Sequence, residues 1–280
     1  MHVHFIAVAG TGMGALAGLF KALGHEVTGS DTTFDPPMGP ALEQWGIALR
    51  KGFDSSHLVP RPDLVVVGNV CRETNPEARA AIDGGLRYTD MAHALADHVL
   101  AETSPLVVAG THGKTTTTAM SAWLLHDAGR RPGFLVGGLP KNFPHSFQVP
   151  GGRKGALAVV PQVPEGWIGP ARRTPFVVEG DEYDTAFFEK TPKFWHYRPE
   201  VAILTSIEHD HIDIYPSLDV YFDAFARFVA SIPKQGLVVA NAANKHVVAV
   251  VTQHARCEVA WYGLQGEDLH GQHPSWLGAL

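Results

Sequence analysis

Cysteine is almost missing from this sequence: Cys71 and Cys257 are the two in 280 residues. Two thiols build neither a disulfide framework nor a cysteine-rich zinc cluster, and such sparing use suits a reducing compartment. Neither sits in a recognisable Cys/His motif, so no nucleophile constellation for covalent catalysis is on offer. Positive charge is short as well, with 22 Lys and Arg against 28 Asp and Glu and a formal charge of -6. A nucleic-acid surface needs clustered basic excess, so that class of partner is not expected and anionic ligands must be held locally. No apolar run approaches the roughly 18 residues of a membrane span. The opening M-H-V-H-F-I-A-V-A-G carries no basic leader segment, so no membrane contact is expected and the cytoplasm is the expected compartment. Internal repeats are absent. What remains is an ordinary globular composition, 45% hydrophobic with a mean hydropathy of -0.01. At 280 residues it calls for two domains.

The most informative stretch is P-L-V-V-A-G-T-H-G-K-T-T-T-T-A-M, Pro105 to Met120. Leu106 to Ala109 has the length of a buried strand and Lys114 onward that of a helix, so Gly110, Thr111, His112, Gly113, Lys114 and Thr115 form a strand-to-helix turn. Such a turn cradles phosphate. The glycines let successive N–H groups face one anion, Lys114 adds charge, and Thr115 brings a hydroxyl for a phosphate-bound Mg²⁺. Val108 stands where the general P-loop pattern has its first glycine, so the match is to a shortened form.

A second glycine turn lies near the start. Val3 to Ala9 is an apolar run, followed by G-T-G-M-G-A and a helical segment closed by Gly24. Gly10, Gly12 and Ala15 fit the G-x-G-x-x-G/A turn, and Asp31 ends the next strand at the spacing where an acidic residue meets a ribose hydroxyl. A dinucleotide and a nucleotide-sugar are both compatible with that turn, so a dehydrogenase stays open at this point. Further strands and helices alternate through the chain, which implies parallel sheets covered on both faces. The change of character at Ala101 to Pro105 marks a domain boundary. From Pro144 to Arg173 the composition turns to Gly, Pro and basic residues, which reads as an inserted surface loop. Leu218 to Ile232 reads as an amphipathic helix with Val220, Phe222, Phe225, Phe228 and Val229 inward. The last stretch, from Gly266, shows no closing element.

Two acidic segments remain. Phe176 to Val178 runs into E-G-D-E-Y-D, and a carboxylate at a strand end beside a phosphate turn can hold a nucleotide's Mg²⁺, which makes Glu179 a candidate. Val201 to Ile207 ends at E-H-D-H-I-D. His209, Asp210, His211 and Asp213 resemble metal ligands, yet neighbours along an extended segment point to opposite sides and cannot all converge.

In this order, G-T-G-M-G-A-L-A-G-L, G-T-H-G-K-T-T-T-T-A-M, F-V-V-E-G-D-E-Y-D-T-A-F-F-E-K and A-I-L-T-S-I-E-H-D-H-I-D, the chain resembles the ATP-dependent Mur ligases of peptidoglycan synthesis. The segment Y-D-T-A-F-F-E-K, with K-F-W-H-Y-R-P-E after it, is similar to the branch of that family that attaches a murein tripeptide; the L-alanine-adding branch is the near alternative. The resemblance implies a Rossmann-like parallel-sheet domain over 1–103 and a P-loop ATPase-type α/β central domain over 104–280, the latter incomplete and with the family's C-terminal domain absent. It implies ATP and Mg²⁺ as cofactors, UDP-N-acetylmuramate and a murein peptide as partners, and a monomer or weak homodimer. The sugar-nucleotide would lie on Gly10, Gly12, Met13, Gly14, Ser30, Asp31, Gly137, Gly138 and Asn142, which displaces the dehydrogenase. ATP would lie on Gly110 to Thr116. Lys114, Glu179 and His211 would be catalytic, with Thr115, Glu179 and His211 on metal. Against the family pattern, Ser206 replaces a usual Asn and 144–173 replaces a short link. Without the third domain, a fragment that binds both nucleotides without turnover is a further reading.

Overall fold

The computed structural model describes residues 1–152, 173–208, 215 and 217–279. Among these residues the strands form two main sheets. The first contains β1 (His2–Ile6), β2 (Glu26–Asp31), β3 (Ala48–Lys51), β4 (Leu64–Val67) and β5 (Tyr88–Asp90), all parallel, in the order β3-β2-β1-β4-β5. Between them run α1 (Thr11–Ala22), α2 (Met38–Gln44) and α3 (Pro76–Asp83), and α4 (Met91–His98) follows β5. Both faces of the sheet are buried. Val3, Phe5, Leu64 and Val66 face the cluster that includes α1 and α4, while Ile6, Val65 and Val67 face the one that includes α3. This double burial explains why β4 reads as a continuous apolar run rather than an alternating one.

A short 3₁₀ turn, Leu100–Glu102, leads into the second sheet. Its strands are β6 (Ser104–Ala109), β7 (Gly133–Leu135), β8 (Phe147–Gln148), β9 (Pro175–Gly180), β12 (Val201–Leu204), β13 (Leu237–Asn241), β14 (Glu258–Leu264) and β15 (Trp276–Gly278). They lie in the order β15-β14-β13-β12-β6-β9-β7-β8, parallel except for β8. A separate hairpin joins β10 (Asp184–Ala186) to β11 (Glu189–Pro192). The helices here are α5 (Lys114–Asp127), α6 (Leu218–Ser231) and α7 (Lys245–His254).

One hydrophobic cluster runs without a break from Phe5 and Leu16 to Leu135, Phe147 and Phe176, so α1 is wedged between the two sheets. That wedge aims the glycine turn after β1 toward the turn after β6. The register supports this, since β6 lies directly between β12 and β9 and the loops that follow all three emerge on one edge.

Three sequence expectations change. Within 144–173, Phe147 and Gln148 form a strand whose Phe147 is buried against α1 and Trp45, while 153–172 lie outside the described residues. The C-terminal stretch has β15 as a short edge strand. In α6 it is Tyr221, not Val220, that turns inward: Tyr221 is 0% exposed and Val220 46%.

Candidate active site

The turn after β6 takes its path from its glycines. Gly110 has φ +140° and Gly113 φ +81°, values that L side chains rarely adopt. A Cβ at Gly110 would lie 2.2 Å from Thr205 Oγ1 and 2.8 Å from the Ser206 carbonyl, so the loop after β12 fits against this bare backbone. That loop then holds the turn in place. The Thr111 N–H donates to the Ser206 carbonyl (2.8 Å), the His112 N–H to Ser206 Oγ (3.0 Å), and the Thr205 hydroxyl to the His112 carbonyl (2.6 Å). Ser206, which stands where the family usually has Asn, thus holds the phosphate turn through His112. From below, Tyr221 Oη shares a hydrogen bond with Thr111 Oγ1 at 2.9 Å. The N–H groups of Lys114, Thr115 and Thr116, in the first turn of α5, are left to face the cleft.

Each acidic residue after β9 has its own partner. Glu179 accepts from the Thr115 hydroxyl (2.7 Å) and the Gly137 N–H (2.9 Å). Glu182, 0% exposed, lies 2.9 Å from the Lys114 ammonium, which also donates to the Gly110 and Thr111 carbonyls. Burial pushes the Glu182 carboxyl above its ordinary range, and the Lys114 charge works against that rise. Asp181 pairs with Lys193 at 2.6 Å. Sequence reading missed Glu182, Lys193 and Tyr221, although Glu182 and Lys193 stand inside the segments that carried the family resemblance.

The two glycine turns border one cleft of about 690 Å³, lined by Gly10, Thr11, Gly12 and Met13 on one side and Thr111 to Thr116, Gly137 and Glu179 on the other, with Asp181, Tyr183, Lys193 and Tyr197 between. Asp31 holds the first turn through the Ala9 N–H at 2.8 Å. Six expected ligand contacts, Gly14, Ser30, Asp31, Gly110, Gly138 and Asn142, lie off the lining. Ser30 is fully buried, with its hydroxyl inside the fold, because it is a central residue of a sheet covered on both faces. Gly14 backs onto Met38, Gly138 onto Thr115 Cγ2, and Asn142 is on the surface. His211 lies outside the described residues, as do His209, Asp210 and Asp213. Among the described residues no group of three or more His, Cys, Asp or Glu is arranged to hold a metal. Cys71 is buried, its thiol pushed up to about 11 by desolvation, which leaves it a poor nucleophile. No described helix is long and apolar enough to cross a membrane.

Two family models cover most of the sequence: the Mur ligase middle domain matches residues 108–273, and the Mur ligase family catalytic domain matches 2–103. The chain belongs to the Mur ligase family. Among its relatives, the UDP-N-acetylmuramate--L-alanyl-gamma-D-glutamyl-meso-2,6-diaminoheptandioate ligase of Escherichia coli is 41% identical over 85% of this chain and 48% of its own length. The UDP-N-acetylmuramate--L-alanine ligase of Rubrobacter xylanophilus is 34% identical over 97% of this chain and 54% of its own. A crystal structure of the corresponding L-alanyl-gamma-D-glutamyl-meso-diaminopimelate ligase from Neisseria meningitides superposes with a TM-score of 0.83 at 39% identity, over 94% of this chain and 78% of that one. The chain thus spans about half the length of the curated relatives it matches.

Proposed function

We propose that this chain carries the sugar-nucleotide and ATP sites of an ADP-forming amide ligase that joins a murein tripeptide, L-alanyl-γ-D-glutamyl-meso-diaminopimelate, to UDP-N-acetylmuramate. The observation behind it is the single cleft that both glycine turns border, with the Thr115 hydroxyl and the Glu179 carboxylate in contact inside it. Tripeptide rather than L-alanine as the acceptor rests on the higher identity to the Escherichia coli relative, whose name states that reaction.

The residues present fit the groups. Thr115 and Glu179 are hard oxygen donors of the kind Mg²⁺ selects, and a phosphate and water would complete its shell. The open N–H groups at the start of α5 suit the phosphates. When bound, ATP with Mg²⁺ would supply the γ-phosphoryl group that converts the muramate carboxylate to an acyl phosphate, leaving ADP, and the peptide amine would attack the acyl carbon and expel inorganic phosphate. The chain's part is positioning and charge. Gly10 to Met13 hold the uridine diphosphate end, with Asp31 fixing that turn. Lys114, poised by Glu182, offsets the repulsion between two anionic reactants. Tyr197 and Met91 narrow the cleft against water.

Because the chain spans half the length of its relatives, a second reading is a module that binds both nucleotides without turnover. Phosphate release that needs ATP, UDP-N-acetylmuramate and tripeptide together supports the ligase. Binding of both nucleotides without release supports the module, and a chain that binds no UDP-sugar rejects both.

A further inference from the structure

Lys193 opens the 3₁₀ turn Lys193–His196, directly after β11, and its side chain is 7% exposed. Its N–H donates to the Tyr183 carbonyl at 3.2 Å, the Tyr183 N–H donates to Asp181 Oδ1 at 3.1 Å, and the ammonium reaches Asp181 Oδ2 at 2.6 Å. The same ammonium sits 5.8 Å from the centre of the Tyr183 ring. These contacts close a small rigid triangle on the wall of the cleft. An ammonium carries three donors. Among the described residues Asp181 is its one hydrogen-bond acceptor, and because Lys193 lines the cleft its other donors can serve a ligand there.

Position gives this charge a role. Tyr197 and Met91 line the same cleft, Met91 Cε would lie 3.1 Å from a Cβ on Gly12, and α4, which Met91 opens, packs against the 3₁₀ turn that Lys193 opens. On the other side Asp181 leads through Glu182 to Lys114 and the phosphate turn. Lys114 is committed to Glu182 and its own loop carbonyls. Lys193 is therefore the second lysine on the lining that Gly10 to Met13 shares with Thr111 to Thr116, in the cleft that a ligand reaching from one turn to the other would occupy.

We propose that Lys193, held by Asp181, is the residue that recognises the carboxylate of the sugar-nucleotide, selecting a muramyl ligand over one lacking the lactyl group. This rests on the sugar-nucleotide reading of the cleft, and the test separates the two. Titration calorimetry in the presence of a chelator, so that no metal bridges the carboxylate, compares UDP-N-acetylmuramate, UDP-N-acetylglucosamine and UDP on the wild-type chain and on Lys193→Met and Lys193→Arg. The expected result is a wild-type preference for the muramyl compound of roughly tenfold or more. Lys193→Met collapses that ratio toward one and leaves UDP binding unchanged, while Lys193→Arg retains most of it. The double variant Asp181→Asn/Lys193→Met removes both charges of the buried pair, and gives the same ratio should the single variant fail to fold. Selectivity that survives in either methionine variant overturns the role of Lys193 alone. A wild-type chain that binds no UDP compound overturns the sugar-nucleotide reading and this inference with it.

Discussion

Gly10 and Gly110 each belong to a strand-turn-helix unit, yet the chain uses them differently: Gly10 caps α1 with φ -67°, while Gly110 leaves β6 with φ +140°. The first turn is mainly a packing device. Its later glycines bring neighbours close, Gly14 against Met38 and Gly18 against Phe147 and Trp45, and this is how α1 is wedged between the sheets. The second turn is a polar device, strained at Gly110 and held by Thr205, Ser206, Tyr221 and the Lys114–Glu182 pair. Glycine spacing announces both turns alike. What separates them is what their neighbours contribute.

The sharpest way to break that contrast is at the buried ion pair. Lys114→Met takes the Lys114 charge away from buried Glu182 and should lower stability by about 3–5 kcal/mol at neutral pH in urea unfolding. Since the Glu182 carboxyl is already raised, and rises further without the Lys114 charge, the loss should shrink as pH falls and the acid is neutralised. Lys114→Met/Glu182→Gln should recover most of it. Next, Gly110→Ala meets a disallowed φ and the Thr205–Ser206 backbone together, for a loss of roughly 2–3 kcal/mol. Gly12→Ala faces only the flexible end of Met91 and should stay under about 1 kcal/mol in the same assay. A first turn that proved the more sensitive of the two would reverse the comparison.

Gly18→Ala tests the packing device itself. Its Cβ would lie 2.4 Å from Phe147 Cε1, and a loss of about 1–3 kcal/mol is expected in thermal unfolding, with UDP binding less affected than stability. Ser206→Ala removes one hydrogen bond from the phosphate turn and should cost about 1 kcal/mol. The smallest effect is on pH. Burial lowers the pKa of His25, His98 and His196 below 6.5, so the unfolded chain takes up their protons first. Stability from these groups is whole above pH 6.5 and falls as pH drops through their folded values. His196→Gln should flatten that slope in pH-resolved unfolding, and an unchanged slope would remove His196 from the account.

Much of this could be read before the structure. Thr115 and Glu179 meet because β6 and β9 are adjacent parallel strands whose ends share an edge, and both ends were marked by residues suited to the job. Residues that act from a distance were harder to see. Tyr221 approaches Thr111 from a helix that looked like plain core, and the hydrogen bond from the His112 N–H to Ser206 Oγ leaves no mark in the sequence. Ser30 is the opposite case: in a strand buried on both faces, a polar residue near the end still lies inside. The strands β8 and β15 are two and three residues long, too short for any periodicity to register.

The central claim is that one cleft holds two nucleotides at once, each on its own glycine turn. Its most direct test is calorimetric titration of the chain with UDP-N-acetylmuramate and with a non-hydrolysable ATP analogue in Mg²⁺, each alone and each in the presence of the other. The expected result is one site for each ligand, simultaneous occupancy, and loss of the ATP analogue alone in Gly110→Ala. Mutual exclusion of the two ligands, or loss of both in that variant, would contradict it.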